Sequence, residues 1–231
     1  MYYNNNQAKE IKEATVNWST EIIIAKIYYE MNKAGYTGPA KFDDYCKQCL
    51  FGITAHPKKS ATGGPVFNAQ LRLETQFSDF YAQDLRLRCT KTLTCSKRTK
   101  FLQPLVIACF DIEGTRGGNA GDFTSMPHFH GVILFHHDTV SDYFKRNAAK
   151  ELEDGGFQII PPSGLIKSLY LKNIPTEDDL KRYLDYSLKY RVALTDSQSS
   201  YCPHRVYPEK SKHYPFWEYL AKMEGIARDC I

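Results

Sequence analysis

The apolar positions of this chain change period about a third of the way along it. From Gln7 to Met31, Ile11, Ala14, Trp18, Ile22, Ile23, Ala25 and Ile27 recur at helical spacing, and the Gly and Pro of NKAGYTGP then supply stop signals. The pattern predicts a long amphipathic helix there, a shorter one over Phe42 to Phe51, a loop through HPKKSATGGP and a further helix over Phe67 to Leu85. Beyond that point LRCTKTLTC alternates, PLVIACFDIE and HFHGVILF are β-rich apolar runs, and LIKSLYLKNI alternates again, with a weaker strand at Phe157 to Ile160. Helical patterns fall at Val140 to Glu153, Thr176 to Ala193 and Pro215 to Arg228, and Thr176 with Asp179 approaches a capping box. Strands that follow one another without an intervening helix pair antiparallel. The expected fold class is therefore α+β, a central antiparallel sheet of about five strands with helices packed on its faces. The expected divisions are a helical N-terminal extension over 1–85, a core over 86–194, and a C-terminal loop and helix over 195–231.

Composition narrows the setting. No run approaches the roughly 18 apolar residues that a membrane span needs. The opening MYYNNNQAKEIKEA lacks the order of a secretory signal, so a cytoplasmic protein is expected. The seven cysteines are odd in number and, apart from Cys46 and Cys49, scattered, which points to free thiols. CKQC has the inner spacing of a zinc half-site, with His56 or Cys202 and His204 as partners, but no second Cys-x-x-Cys completes it. Two apolar-side thiols on a short helix is the favoured reading. The net charge is only +4, yet RLRCTKTLTCSKRTK, Arg86 to Lys100, carries six cations and no acid. Such a stretch suits contact with phosphate.

The chemistry concentrates in PHFHGVILF. Side chains alternate along a strand, so His128 and His130 share one face while Phe129, Ile133 and Phe135 take the other. On the preceding strand Cys109, Asp111 and Glu113 lie opposite Val106, Ala108, Phe110 and Ile112. A hairpin register pairing Glu113 with His128 and Asp111 with His130 brings two imidazoles and carboxylates to one end of the sheet, a facial set with open positions for a divalent ion. A histidine bonded to a backbone carbonyl is the competing reading for each ring. On the later helix Tyr183, Tyr186 and Tyr190 share a face, and Lys189 sits three residues after Tyr186. A tyrosine stripe packed on the sheet is the competing reading there.

In order and spacing, PHFHGVI with its upstream carboxylate, the Tyr-x-x-Lys helix after it and KTLTCSKR before it resemble the three motifs of HUH-type replication initiators. These are the Rep endonucleases of rolling-circle replication. The resemblance spans Leu87 to Val192 and implies a ferredoxin-like or RRM-like sheet. By this likeness Thr92, Leu93, Thr94 and Cys95 form a first-motif strand that is structural and touches single-stranded DNA. His128, His130 and Glu113 are the implied ligands of Mg²⁺ or Mn²⁺, with Asp111 orienting an imidazole or standing in as a ligand. Tyr186 is the implied nucleophile and Lys189 its companion. YSLKY also resembles the paired-tyrosine motif of phage initiators, which would add Tyr190, although Val192 and Ala193 stand where that motif has its second Lys.

The implied reaction nicks and rejoins an origin through a 5′-phosphotyrosine. The DNA contacts expected for it are Arg86, Arg88, Lys91, Thr92, Thr94, Lys97, Arg98 and Arg182. The expected partners are single-stranded DNA at an origin, hairpin forms included, and a separate host helicase and polymerase, since no Gly-x-x-x-x-Gly-Lys-Ser/Thr segment occurs. A relaxase or single-strand transposase would use the same chemistry. A non-catalytic DNA-binding protein of the same fold is the reading from another class.

Overall fold

A computed structural model of the chain describes residues 5–35, 38–57, 66–92, 99–112, 127–188 and 204–208. The fold class is α+β, as the pattern predicts. Among the described residues the sheet is a single antiparallel one of seven strands, more than the five or so expected: β1 (Leu50–Pro57), β2 (Leu105–Ile112), β3 (Pro127–Leu134), β4 (Lys150–Glu151), β5 (Phe157–Ile159), β6 (Ile166–Asn173) and β7 (His204–Tyr207). Their order across the sheet is β4-β5-β6-β1-β3-β2-β7. The helices are α1 (Asn5–Lys33), α2 (Pro39–Cys49), α3 (Val66–Phe80), α4 (Arg86–Thr90), α5 (His137–Arg146) and α6 (Glu177–Ser187), with a π-helical turn, Tyr81–Leu85, joining α3 to α4.

Alternation along the central strands splits the core in two. One face presents Phe51, Ile53, Val106, Phe110, Phe129 and Ile133 to Phe77, Phe80 and Leu85 of the α3–α4 run and to Tyr143 of α5. The other presents Leu50, Leu105, Ile107, Val132 and Leu134 to Ile23 and Ile27 of α1, Cys46 and Cys49 of α2, and Leu180 and Leu184 of α6. The molecule is thus three layers, with α1, α2 and α6 covering the face that carries the histidines.

Two expectations need correction. Leu50–Pro57 is the middle strand of the sheet, where a helix end and a loop were expected. Leu50 leaves α2 with φ −105° and ψ 123°, so helix passes into strand with no intervening loop. Segment 1–85 is therefore not wholly helical, and Phe51 and Leu73 from it share one core with Phe129. The strand expected over Leu87 to Cys95 is also absent where it is described. Arg86–Thr90 is helical, closed by Lys91 at φ 58°, because Leu85 and Cys89, one turn apart, both bury against the sheet. Leu93, Thr94 and Cys95 lie outside the described residues, as does the helix expected at Pro215 to Arg228.

Smaller differences follow the same logic. Of the helix expected at Val140 to Glu153, only the part to Arg146 is helical, and Lys150–Glu151 pairs with β5 around the turn at Gly155. His136 caps α5, its Nδ1 accepting the Asp138 N–H at 3.2 Å. Thr176 caps α6 by accepting the Asp179 N–H at 3.2 Å, as its sequence spacing predicts.

The His136 cap is pH-sensitive. Burial pushes this imidazole below its ordinary value of 6.5, with Glu30 and Asp138 opposing the shift and His137 and Lys26 adding to it. A base depressed in the folded state contributes stability that is complete above the ordinary value and is lost as pH falls through the folded one. Protonation at Nδ1 also removes the acceptor that caps the helix. Thermal melts at pH 5 should therefore lie below those at pH 7.5, and His136→Asn, which caps without titrating, should narrow the gap.

The close pairing of β3 with its neighbours depends on Gly131. A Cβ there would meet the Ile107 carbonyl and approach the Ala108 Cα to 2.8 Å. Backbone cannot step aside as a side-chain tip can, so Gly131→Ala should cost about 1–3 kcal/mol, read as a lower midpoint in urea.

Candidate active site

Two strands and one helix build the site. On the face under α6, β3 places His128 and His130 two residues apart, so both rings leave the sheet on the same side. Their Nε2 atoms are 3.0 Å apart, with ring planes at 85°. With one ring in its Nε2–H tautomer the pair makes an ordinary hydrogen bond between neutral imidazoles, and two bare nitrogens on one metal ion fit the same separation. Ligands in adjacent octahedral positions at about 2.1 Å from an ion lie about 3.0 Å apart, so the pair matches one edge of such a shell.

The neighbouring strand touches both rings. In the β1–β3 register Thr54 is opposite His130, and its Oγ1 is 3.0 Å from His130 Nδ1. In the tautomer that leaves Nε2 bare, Nδ1–H donates to this hydroxyl, which is how a protein fixes an imidazole for metal. Two residues on, the His56 ring stacks on His128 with centroids 5.7 Å apart and planes at 28°.

Helix α6 roofs the pair. The Tyr186 ring lies 5.2 Å from that of His130 and remains partly open to solvent. Tyr183, one turn earlier, lies 6.5 Å from Tyr186 and packs on Gly52 of β1, where any Cβ would collide with its ring. Burial pushes the Tyr183 phenol up to about 12, with a hydrogen bond from Thr54 offsetting part of the rise. Tyr183 is thus held as a neutral packing residue, whereas Tyr186 reaches both solvent and His130. The last turn of α6 carries Tyr186, and the partial negative charge of that helix end favours a cation beside it.

The carboxylate strand lies on the other side of β3. The register pairs Asp111 with His128 and Cys109 with His130, two residues from the expected pairing of Glu113 with His128 and Asp111 with His130. A two-residue slip keeps every side chain on its face, so the expected juxtaposition of β2 with the histidines survives the correction. Glu113, Lys189 and Tyr190 lie outside the described residues, as do Thr94, Lys97 and Arg98.

Of the expected DNA contacts among the described residues, those on and just after α4 lie away from the histidines. Arg88 pairs with Asp84 at 3.2 Å and Lys91 with Asp142 at 3.0 Å, on the α4–α5 side of the sheet and so behind the histidines. Arg86 is on the same short helix, and Thr92 follows it, its carbonyl accepting the Thr90 hydroxyl at 3.1 Å. Arg182 is on α6 itself, exposed and paired with Asp179 at 3.1 Å. What sequence reasoning missed is β1. Its signal is ITAHP, in which Thr54 and His56 alternate through an apolar run as His128 and His130 do in PHFH.

Two other clusters have metal-like composition. Cys46 and Cys49 are fully buried free thiols, and burial pushes both up to about 12, so neither offers a thiolate at neutral pH. Glu30, His136 and His137 bring donor atoms within 4.8 Å of one another. Glu30, however, already pairs with Lys26 at 3.1 Å and accepts the Tyr45 hydroxyl. A metal on His136 Nε2 would need the ring proton on Nδ1, where it would oppose the Asp138 N–H. Glu30 and His136 are thus already engaged within the core.

No helix among the described residues is long and apolar enough to cross a membrane. Compared with known protein families, curated proteins and solved structures, the chain matches none.

Proposed function

We propose that this protein is a metal-dependent single-stranded-DNA endonuclease and strand transferase that nicks and rejoins a replication origin in rolling-circle replication. The observation that carries the reading is the pair of Nε2 atoms 3.0 Å apart beneath a solvent-reachable Tyr186. His128 and His130 would hold Mg²⁺ or Mn²⁺, with a carboxylate from the end of β2 completing the set. Asp111, opposite His128 in register, is the nearer candidate by backbone position, and Glu113 is the other. When bound, the ion supplies Lewis-acid polarisation of a non-bridging phosphate oxygen.

The remaining chemistry belongs to the chain. The Tyr186 oxygen forms a bond to phosphorus as the bond from phosphorus to the 3′ oxygen breaks. The phenol gives up its proton and the 3′ oxygen takes one up, so phosphoester bonds are conserved and the step reverses on rejoining. His130, held by Thr54 and packed against Tyr186, keeps the phenol beside the phosphate. Lys189, three residues after Tyr186, is proposed to steady the phosphate charge, and Tyr190 to take the second transfer if two tyrosines act. Single-stranded DNA is the proposed substrate, and helicase and polymerase act as separate partners.

A relaxase or transposase would carry out the same step, so the reaction, more than its setting, is what the site supports. Random-sequence oligonucleotides incubated with the full chain and Mn²⁺ should yield new ends from single strands and none from blunt duplex, and chelation should stop the reaction. Cleavage that ignores the chelator would refute the metal-dependent reading.

A further inference from the structure

The strand that sequence reasoning missed mirrors the histidine motif. Thr54-Ala55-His56 on β1 runs antiparallel to His128-Phe129-His130 on β3, with Thr54 opposite His130 and Ala55 opposite Phe129. His56 thereby falls beside His128. Pairing on the other edge of β1 shifts between His56 and Pro57, a bulge of the kind that re-aims a side chain next to a site.

The two imidazoles differ in their surroundings. His130 is buried, bonded to Thr54 through Nδ1 and covered by Tyr186. His128 is half-exposed at the start of its strand, so its χ angles need restraint if Nε2 is to stay 3.0 Å from that of His130. The near-parallel His56 ring, 5.7 Å away, lies flat along it. A stacked ring limits rotation of its neighbour while leaving the edge nitrogens open, which an in-plane hydrogen bond alone does not do.

We propose that His56 is a positioning residue for His128, so that β1 supplies one orienting group to each imidazole of the pair, Thr54 to His130 and His56 to His128. The inference rests on the proposed divalent-ion reading of that pair. Outer groups that orient ligating histidines typically contribute 10–100-fold in metal affinity, which sets the expected size of the effect. Because the role is stacking, an aromatic ring without nitrogens should serve in its place.

Mn²⁺ titration calorimetry on the full chain, without DNA, tests this with four proteins: wild type, His56→Ala, His56→Phe and His128→Ala. His56→Ala should bind Mn²⁺ about 10–100-fold more weakly than wild type, and His56→Phe should stay within about threefold of it. Circular dichroism confirms that each variant is folded, and the phenylalanine variant keeps the packing should the alanine one unfold. If His56→Phe is as weak as His56→Ala, the nitrogen acts as a ligand and the stacking role is overturned. If His56→Ala binds like wild type while His128→Ala does not, the positioning role is overturned and the metal centre stands. Undiminished binding by His128→Ala would overturn the metal centre and the inference together.

Discussion

Tyr186→Phe should abolish covalent attachment to DNA while leaving the fold and metal binding intact. The substitution removes one oxygen and keeps the ring that packs 5.2 Å from His130 and 6.5 Å from Tyr183, so the melting temperature should change little. Loss of a nucleophile removes the step itself, and a fall of about a thousandfold or more in cleavage rate is expected, equivalent to at least about 4 kcal/mol of barrier. Tyr183→Phe is the contrast. Burial keeps that phenol protonated near 12 and its ring is seated on Gly52, so losing its hydroxyl should lower the rate only through the Thr54 contact. A Tyr183→Phe protein as inactive as Tyr186→Phe would assign the nucleophile wrongly.

The second large effect is expected at the histidines. His128→Ala and His130→Ala should each weaken Mn²⁺ binding by more than about a hundredfold, since a ligand matters more than the groups that orient it. The two variants should differ in stability. His130 is buried and bonded to Thr54, so its removal opens a hole and leaves that hydroxyl short of a partner, at a cost of about 1–3 kcal/mol. Half-exposed His128 can be removed with little loss of fold. A chain that binds Mn²⁺ equally well without either ring would show that the 3.0 Å approach of the nitrogens is bridged by a proton alone.

Strand periodicity was enough to put His128 and His130 on one face, and helical periodicity enough to bring a tyrosine over them. Both inferences use only parity, and parity survived a register error of two residues between β2 and β3. The register itself was not legible, because the long Gly-rich connection between those strands sets no turn type.

β1 was hidden for a different reason. A strand buried on both faces shows an apolar run and no alternation, and LFGITA directly follows a helix with no Gly or Pro between them. The opposite error befell RLRCT, whose alternating cations imitate a strand while Leu85 and Cys89 bury at helical spacing. The cost of both misreadings fell on the site. Thr54 and His56 were passed over, and the fold puts Arg86, Arg88 and Lys91 on the face of the sheet opposite the histidines.

The central claim is that Tyr186 exchanges a phosphodiester for a phosphotyrosine above the histidine pair. Its most direct test is to incubate the full chain and Mn²⁺ with a 3′-labelled random pool of single-stranded oligonucleotides, isolate protein that stays labelled under denaturing conditions, and map the modified peptide by mass spectrometry. The account predicts a metal-dependent adduct on Tyr186. An adduct confined to another residue, or labelled protein formed as readily by Tyr186→Phe, would contradict it.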